Sequence, residues 1–224
     1  VPETERYILI VAAGKGTRFN SDIPKQFVPT NGKPLLLHTF DAFLKTQEAF
    51  RYVLVLSESM IPFWKNLSIK YKFTVKHQIV AGGSTRFHSV KNGLKNIPER
   101  ALVAIHDGVR PNLSKRLIDE GFALAQKTGS AIPVIKISES VRETDGINSR
   151  PLNRQTLRLV QTPQFFQAGL IKDAYSNAIQ TNFTDDASVY EDAGNKVTLF
   201  DGEQSNVKVT FEEDLRMVGR EVIT

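Results

Sequence analysis

Apolar runs alternate with segments of helical spacing through most of the chain. Tyr7 to Val11 is continuously apolar, the pattern of an interior strand in a parallel sheet covered on both faces. Tyr52 to Leu56, Ala101 to Ile105 and Ala131 to Ile137 repeat it, and Phe73 to Val80 alternates before Gly82-Gly83. Between these runs the spacing predicts helices. One opens at Pro34 with Leu36, Phe40, Phe43 and Leu44 on one face, a second spans Pro62 to Tyr71, and a third runs from an N-cap at Ser84 to about Asn96. Ser114 caps a fourth, which carries Leu117, Ile118, Phe122 and Ala125 and closes at Gly129. Further on, the pattern predicts a helix over Gly169 to Ile179, a helix start at Thr184-Asp185-Asp186-Ala187, and strands at Val197 to Phe200 and Val207 to Val209. Thr210-Phe211-Glu212-Glu213 reads as a capping box for the last helix. Strands alternating with helices predict an α/β fold built on a largely parallel sheet.

Between Ser138 and Leu159 the rhythm breaks. Arg142, Glu143, Asp145, Arg150, Arg154 and Arg158 crowd this stretch, and Asp145-Gly146 is a hairpin signal. It is too polar for a core and too patterned for a linker. The expected organisation is one domain over residues 1–224 with residues 138–159 as a projecting β-arm that meets a second copy in a homodimer. A mobile surface hairpin fits the same composition.

Composition narrows the partners. With 224 residues the chain can bury a full core. Its net charge of +5 and pI of about 9.4 favour an anionic partner. The lysines and arginines are spread along the chain without a recognisable nucleic-acid motif, so phosphorylated small molecules are expected rather than nucleic acid. No apolar stretch approaches a membrane span, and Val1 to Tyr7 has no signal-like apolar region. Cysteine is absent, which excludes disulfides, thiolate metal sites and cysteine nucleophiles and fits a cytoplasmic protein. His38, His77, His88 and His106 show no metal-ligand spacing.

The chemistry concentrates where the first strand ends. In Ala12-Ala13-Gly14-Lys15-Gly16-Thr17-Arg18-Phe19 the small residues let the backbone approach a ligand, and Gly14 and Gly16 free N–H groups to turn toward an anion. Arg18 and then Lys25, stiffened by Pro24, add two cations. Phe19 stands where a dinucleotide fingerprint needs a small residue, and the spacing of a Walker loop is missing. A solvated turn with two surface cations is the plainer reading of this loop, and the paired charges weigh against it. His106-Asp107-Gly108-Val109-Arg110-Pro111 follows the strand Ala101 to Ile105, which puts Asp107 at the sheet crevice where ligands sit. A carboxylate there suits Mg²⁺ or another divalent cation bound beside a triphosphate. Gly82-Gly83-Ser84-Thr85-Arg86 with Ser89 makes a second glycine turn before a helix, either a simple cap or a nucleotide contact.

Taken in order, these motifs with Pro24-Lys25-Gln26-Phe27, Asn153-Arg154, Thr162-Pro163-Gln164-Phe165-Phe166, Thr184-Asp185 and Asn206-Val207-Lys208-Val209-Thr210 resemble the 2-C-methyl-D-erythritol 4-phosphate cytidylyltransferases of non-mevalonate isoprenoid synthesis. The likeness runs from about Ile8 to the last helix. It implies a Rossmann-like nucleotidyltransferase (GT-A-like) three-layer sandwich with a mostly parallel sheet and a projecting β-arm. It also implies CTP and a polyol phosphate as substrates, with a divalent cation. Arg18 and Lys25 would then stabilise the transition state. Arg154 and Lys208 would position the polyol phosphate, and Asp107, Arg110 and Thr162 would lie near metal and substrate. Ser140 would reach a partner's site. Ala12, Ala13, Gly14, Gly16, Gly83, Ser84, Arg86, Ser89 and Gly108 would form the nucleotide pocket. Ser84 stands where many members carry an acid, Gly108 where alanine is common, and Ser140 replaces an arm threonine. The rival readings are a sister enzyme acting on ribitol 5-phosphate and a non-catalytic nucleotide- or nucleic-acid-binding protein on the same fold.

Overall fold

Ile8, Leu9 and Ile10 are all fully buried, but on opposite sides. Ile8 and Ile10 join one apolar cluster and Leu9 the other, because successive strand side chains point to opposite faces. Only a sheet covered on both faces can absorb such a run. The computed structural model describes residues 4–14, 19 and 23–218, and it contains that sheet. In chain order the elements are β1 (Arg6–Val11), a short ladder of β2 (Pro29–Thr30) and β3 (Lys33–Pro34), α1 (Leu35–Leu44), β4 (Phe50–Leu56), α2 (Ile61–Lys70), β5 (His77–Ala81), α3 (Arg86–Leu94), β6 (Leu102–Asp107), α4 (Lys115–Thr128), β7 (Ser130–Lys136), β8 (Val141–Thr144), β9 (Ser149–Leu152), β10 (Arg158–Val160), β11 (Gln164–Gln167), α5 (Ala168–Asn177), α6 (Asp186–Asp192) and β12 (Leu199–Asp201).

The main sheet runs β10-β7-β11-β6-β1-β4-β5, with β12 also paired to β7. β6, β1, β4 and β5 are mutually parallel, whereas β11 lies antiparallel between β6 and β7. Helices α1, α2 and α4 cover one face through Phe40, Phe43, Trp64 and Phe122. Helices α3, α5 and α6 cover the other through Phe87, Val90, Ile171, Tyr175 and Tyr190. The result is the expected three-layer α/β sandwich.

Several limits differ from the sequence reading. Helix α3 is capped by Thr85, not Ser84, since the Thr85 side chain accepts from the His88 N–H. Phe73 to Lys76 stays outside the sheet, because only His77 to Ala81 finds partners on β4. Leu44 is 38% exposed rather than core-facing. The Val207–Val209 strand does not form; the segment is extended, with the Val209 N–H donating to Val109 O at 3.0 Å. The final cap uses Asp214 instead of Glu213, its carboxylate accepting from the N–H groups of Thr210 and Phe211 at 2.7 and 2.8 Å. Strand β11 was not anticipated as a strand. Within residues 138–159, β8 and β9 form a two-stranded antiparallel pair turned at Asp145, whose carboxylate accepts from the N–H groups of Ile147 and Asn148 at 2.9 and 2.7 Å. Arg158 and Leu159 instead belong to β10 at the edge of the main sheet, because they find partners on β7.

Where α4 crosses β11, close packing depends on one missing side chain. A Cβ on Gly121 would stand 2.2 Å from Cε2 of Phe165, a ring that is fully buried and packed edge-on against Phe122 at 5.0 Å. Gly121→Ala is therefore expected to lower Tm. Overpacking a filled core costs about 1–3 kcal/mol, which outweighs the ~1 kcal/mol that alanine gains over glycine in a helix. A thermal melt with Tm unchanged or raised would show that the ring can yield.

Candidate active site

Strands β1 and β6 are neighbours with Val11 opposite Asp107, so the loops that follow them leave the sheet side by side. The Gly108 N–H donates to Val11 O at 3.0 Å, and the Ala12 N–H donates to Val55 O at 2.8 Å. Both loops thus open at the carboxyl ends of parallel strands, the usual place for a ligand. The loop after Pro24 is drawn to the same point by Gln26. This buried side chain donates from Nε2 to Ala12 O at 2.7 Å and to Gly14 O at 3.2 Å. Lys25, its neighbour, is held with Nζ 2.8 Å from Val209 O. On the opposite wall Ser89 accepts from the Gly83 N–H at 3.1 Å and donates to Thr85 O at 2.9 Å. The turn onto α3 is so tight that a Cβ on Gly83 would stand 2.3 Å from the Cβ of His88.

These pieces enclose a cleft of about 780 Å³. Ala12, Ala13, Gly14, Lys25, Gly83, Ser84, Arg86, Ser89, Asp107 and Lys208 all line it. Gly108 sits behind the wall, where its carbonyl accepts from Thr39 Oγ1 at 3.1 Å. A second hollow of about 330 Å³ shares Arg86, Asp107 and Lys208 with the first and adds Arg110, Thr162 and Asp185. Ser140 and Arg154 line neither hollow; they belong to the arm, where Arg154 Nη1 donates to Ser138 O. Gly16 and Arg18 lie outside the described residues.

The wall between the two hollows is a charge cluster centred on Asp107. Its Oδ2 is 2.9 Å from Lys208 Nζ and 3.3 Å from Arg110 Nε, and its Oδ1 is 3.9 Å from Arg86 Nε. Burial opposes the charge, but Lys208, Arg86 and Arg110 together hold this carboxyl well below the usual carboxylate range. Arg86 is clamped from behind by Asp186, with Nη1 and Nη2 at 2.8 and 2.6 Å from its two oxygens. Tyr175 donates its hydroxyl to the same Asp186 at 2.6 Å. Arg110 donates to Asn206 O at 2.9 Å, and Asn206 Nδ2 donates to Thr162 O at 2.8 Å. Gln161 completes this scaffold, donating to Glu203 O at 2.7 Å.

Sequence reasoning did not single out Gln26, Gln161, Tyr175, Asp186 or Asn206 for the site. Gln26, Gln161 and Asn206 stand inside the sequence motifs without a role of their own. Asp186 was visible only as part of a helix start, in which Asp185 takes the capping role and accepts from the Ser188 N–H.

The arrangement can hold two anions on either side of a cationic wall, and the comparisons with known proteins agree with it. The sequence model of the 2-C-methyl-D-erythritol 4-phosphate cytidylyltransferase family (IspD) matches residues 7–222. The chain belongs to this family. Among relatives named 2-C-methyl-D-erythritol 4-phosphate cytidylyltransferase, that of Phocaeicola vulgatus is 44% identical over 212 residues, covering 95% of this chain and 97% of its own. The Bacteroides fragilis relative is 45% identical over 212 residues, with the same coverage. Among solved structures, the 4-diphosphocytidyl-2C-methyl-D-erythritol synthase of Anaerococcus prevotii aligns with a TM-score of 0.80 at 28% identity, over 96% of each chain. The bifunctional IspDF of Campylobacter jejuni aligns with a TM-score of 0.82 at 30% identity. It covers 96% of this chain, which spans 55% of that longer one. The central sheet of this cytidylyltransferase-family chain is mostly parallel, in a mixed α/β fold. No helix among its described residues is long and apolar enough to cross a membrane.

Proposed function

We infer that the protein transfers CMP from CTP to 2-C-methyl-D-erythritol 4-phosphate and releases pyrophosphate, a step in isoprenoid precursor synthesis. The observation that carries this reading is the pair of hollows joined at one wall of Arg86, Asp107 and Lys208. In the transfer, a phosphate oxygen of the polyol phosphate forms a bond to the α-phosphorus of CTP while the bond from that phosphorus to the bridging oxygen breaks. The electron pair leaves with pyrophosphate. The attacking oxygen is already ionised, so the step needs no general base. It does need positive charge, both to let two polyanions approach and to stabilise the charge that builds on phosphorus. Lys25, Arg86 and Lys208 line the larger cleft for that purpose, and Arg18, the next cation of the first loop, is assigned the same work. The larger cleft takes the nucleotide against Ala12, Ala13, Gly14, Gly83, Ser84 and Ser89. The smaller takes the polyol beside Arg110 and Thr162.

The donor set fits a divalent cation that arrives on the triphosphate. Asp107 is the carboxylate among the residues lining the larger cleft, and no group of three metal-binding side chains occurs among the described residues. Mg²⁺ commonly keeps phosphate oxygens and waters and takes only one or two carboxylates. Bound there, the ion would neutralise phosphate charge, while Asp107 also orients Lys208 and Arg110.

Family membership favours methylerythritol phosphate over the ribitol 5-phosphate reading, and pyrophosphate release assays with CTP and each polyol phosphate test the choice. Turnover with ribitol 5-phosphate alone would reverse it, and turnover with neither would leave a binding protein. The cysteine-free composition supports a cytoplasmic setting.

The arm supports a homodimer with shared sites. Ile147 at its tip is 94% exposed, and Leu159 at its root is 50% exposed. Ser140 and Arg154 would complete the site of the other subunit. Mixing an Arg154→Ala protein with a Lys25→Ala protein is then expected to restore activity. Random exchange makes about half the dimers mixed, each with one intact site, or about a quarter of wild-type sites overall. No recovery after verified subunit exchange would return Arg154 to its own subunit's site.

A further inference from the structure

We propose that His106 is a positioning residue that fixes the polarity of the Thr162 hydroxyl, so that Thr162 can only accept a hydrogen bond in the smaller hollow and thereby selects a polyol hydroxyl over a phosphate oxygen. The inference rests on the functional reading above and deepens it.

His106 is fully buried near the end of β6, its ring edge-on to Phe43 at 5.2 Å. Nε2 lies 3.0 Å from Arg110 O. A carbonyl oxygen has no proton to give, so Nε2 must carry one and donate it. The ring is fully buried, and its two nitrogens face a carbonyl and a hydroxyl with no carboxylate bonded to either. An unpaired imidazolium there would be costly, so the neutral ring leaves Nδ1 as an acceptor. Nδ1 stands 3.0 Å from Thr162 Oγ1, so the hydroxyl donates to the ring. The same oxygen accepts from the Asp107 N–H at 3.1 Å. A hydroxyl has one proton and two lone pairs. With the proton committed to His106 and one lone pair to Asp107, a single lone pair remains.

That remaining lone pair belongs to a residue lining the smaller hollow beside Arg110 and Lys208. Ionised phosphate oxygens only accept hydrogen bonds, so they gain nothing from Thr162 and are drawn to the two cations. A polyol hydroxyl can donate, and it satisfies the oxygen. His106 thus gives the hollow a direction: the phosphate end is steered to the cations and a hydroxyl to Thr162. A threonine free to rotate would bind either group and lose that discrimination.

The test is steady-state kinetics of the full chain with CTP and 2-C-methyl-D-erythritol 4-phosphate. The proteins are wild type, His106→Gln, Thr162→Val and the double variant, all checked for folding by circular dichroism. Glutamine can still donate toward Arg110 O but has no acceptor at the Nδ1 position. Each single change is expected to raise KM for the polyol phosphate roughly tenfold, with KM for CTP within about twofold. The double variant should be no worse than Thr162→Val, because His106 acts through that hydroxyl. Multiplying effects, or equal shifts in both KM values, would overturn the proposal. Wild type can also be assayed, whatever the fate of the variants, with substrate analogues in which single hydroxyls are replaced by fluorine, which accepts but cannot donate. One fluorinated analogue should lose about tenfold in kcat/KM on wild type and nothing relative to substrate on Thr162→Val. If every fluorinated analogue matches the substrate on wild type, Thr162 is not acceptor-only. A wild type that releases no pyrophosphate from this substrate pair overturns the functional reading and this proposal together. A wild type that turns over while the variant effects multiply overturns this proposal alone.

Discussion

Lys25→Ala is expected to lower kcat roughly 100-fold or more, while KM for CTP moves only a few-fold. The charge is held before substrate arrives. Pro24 leads into the short 3₁₀ turn Lys25–Phe27, and Gln26 and Phe27 are 3% and 1% exposed, so the turn is anchored on both sides of its bonds to the first loop. Lys25 Nζ rests on Val209 O at 2.8 Å and lines the cleft. A preorganised cation of this kind acts on charge that develops during the transfer, and losing one such group costs on the order of 3 kcal/mol in the transition state. Ground-state binding of a triphosphate is spread over several contacts and suffers less. Wild-type kcat in the variant would mean that Lys25 is only a structural prop for Val209.

Asp186→Ala is expected to damage stability more than any other single change in the site. Asp186 is fully buried and receives two bonds from Arg86 and one from Tyr175. Its loss strands a guanidinium and a phenol at the back of the cleft. Breaking a buried pair from one side costs about 3–5 kcal/mol. The Arg86 side chain is 28% exposed and can regain some water, which favours the lower end, about 3 kcal/mol. In a chain of this size that lowers Tm by roughly 6–12 °C. Arg86 would also be free to swing onto Asp107, so kcat/KM should fall in the surviving folded fraction. A melt within about 1 °C of wild type would show that the clamp contributes nothing net. Asp186→Asn keeps the acceptor for one bond and should fall between the two.

The contrast between these two residues shows what a sequence can disclose. Lys25 was legible because a stiffened loop with a second cation after a glycine turn is a local pattern. Asp186 was not, because two adjacent aspartates at a helix start look alike. Only the position of α3 across the sheet decides that Asp186 turns inward to Arg86 while Asp185 caps the helix and accepts from Gln164 Nε2 at 2.8 Å. The same distinction runs through the fold. The β1 run and the Ser114 and Gly129 ends of α4 are set by near neighbours, and they stand where the pattern put them. Strand β11 depends on the gap between β6 and β7, which no local window reveals. The segment Val207–Val209 has strand-like residues, yet it crosses to Val109 and joins no ladder.

That crossing has a consequence for the order in which the chain becomes competent. The wall of the cleft takes Lys208 from this late thread, and the Lys25 ammonium leans on the carbonyl of the residue beside it. Every strand of the main sheet precedes it in the chain. On a ribosome, the sheet can therefore assemble while Asp107 still lacks its nearest cation and Lys25 its rest. A chain cut before Val207 would keep every strand of the main sheet, with Arg86 and Arg110 still beside Asp107, and lose only the ammonium that lies nearest to it.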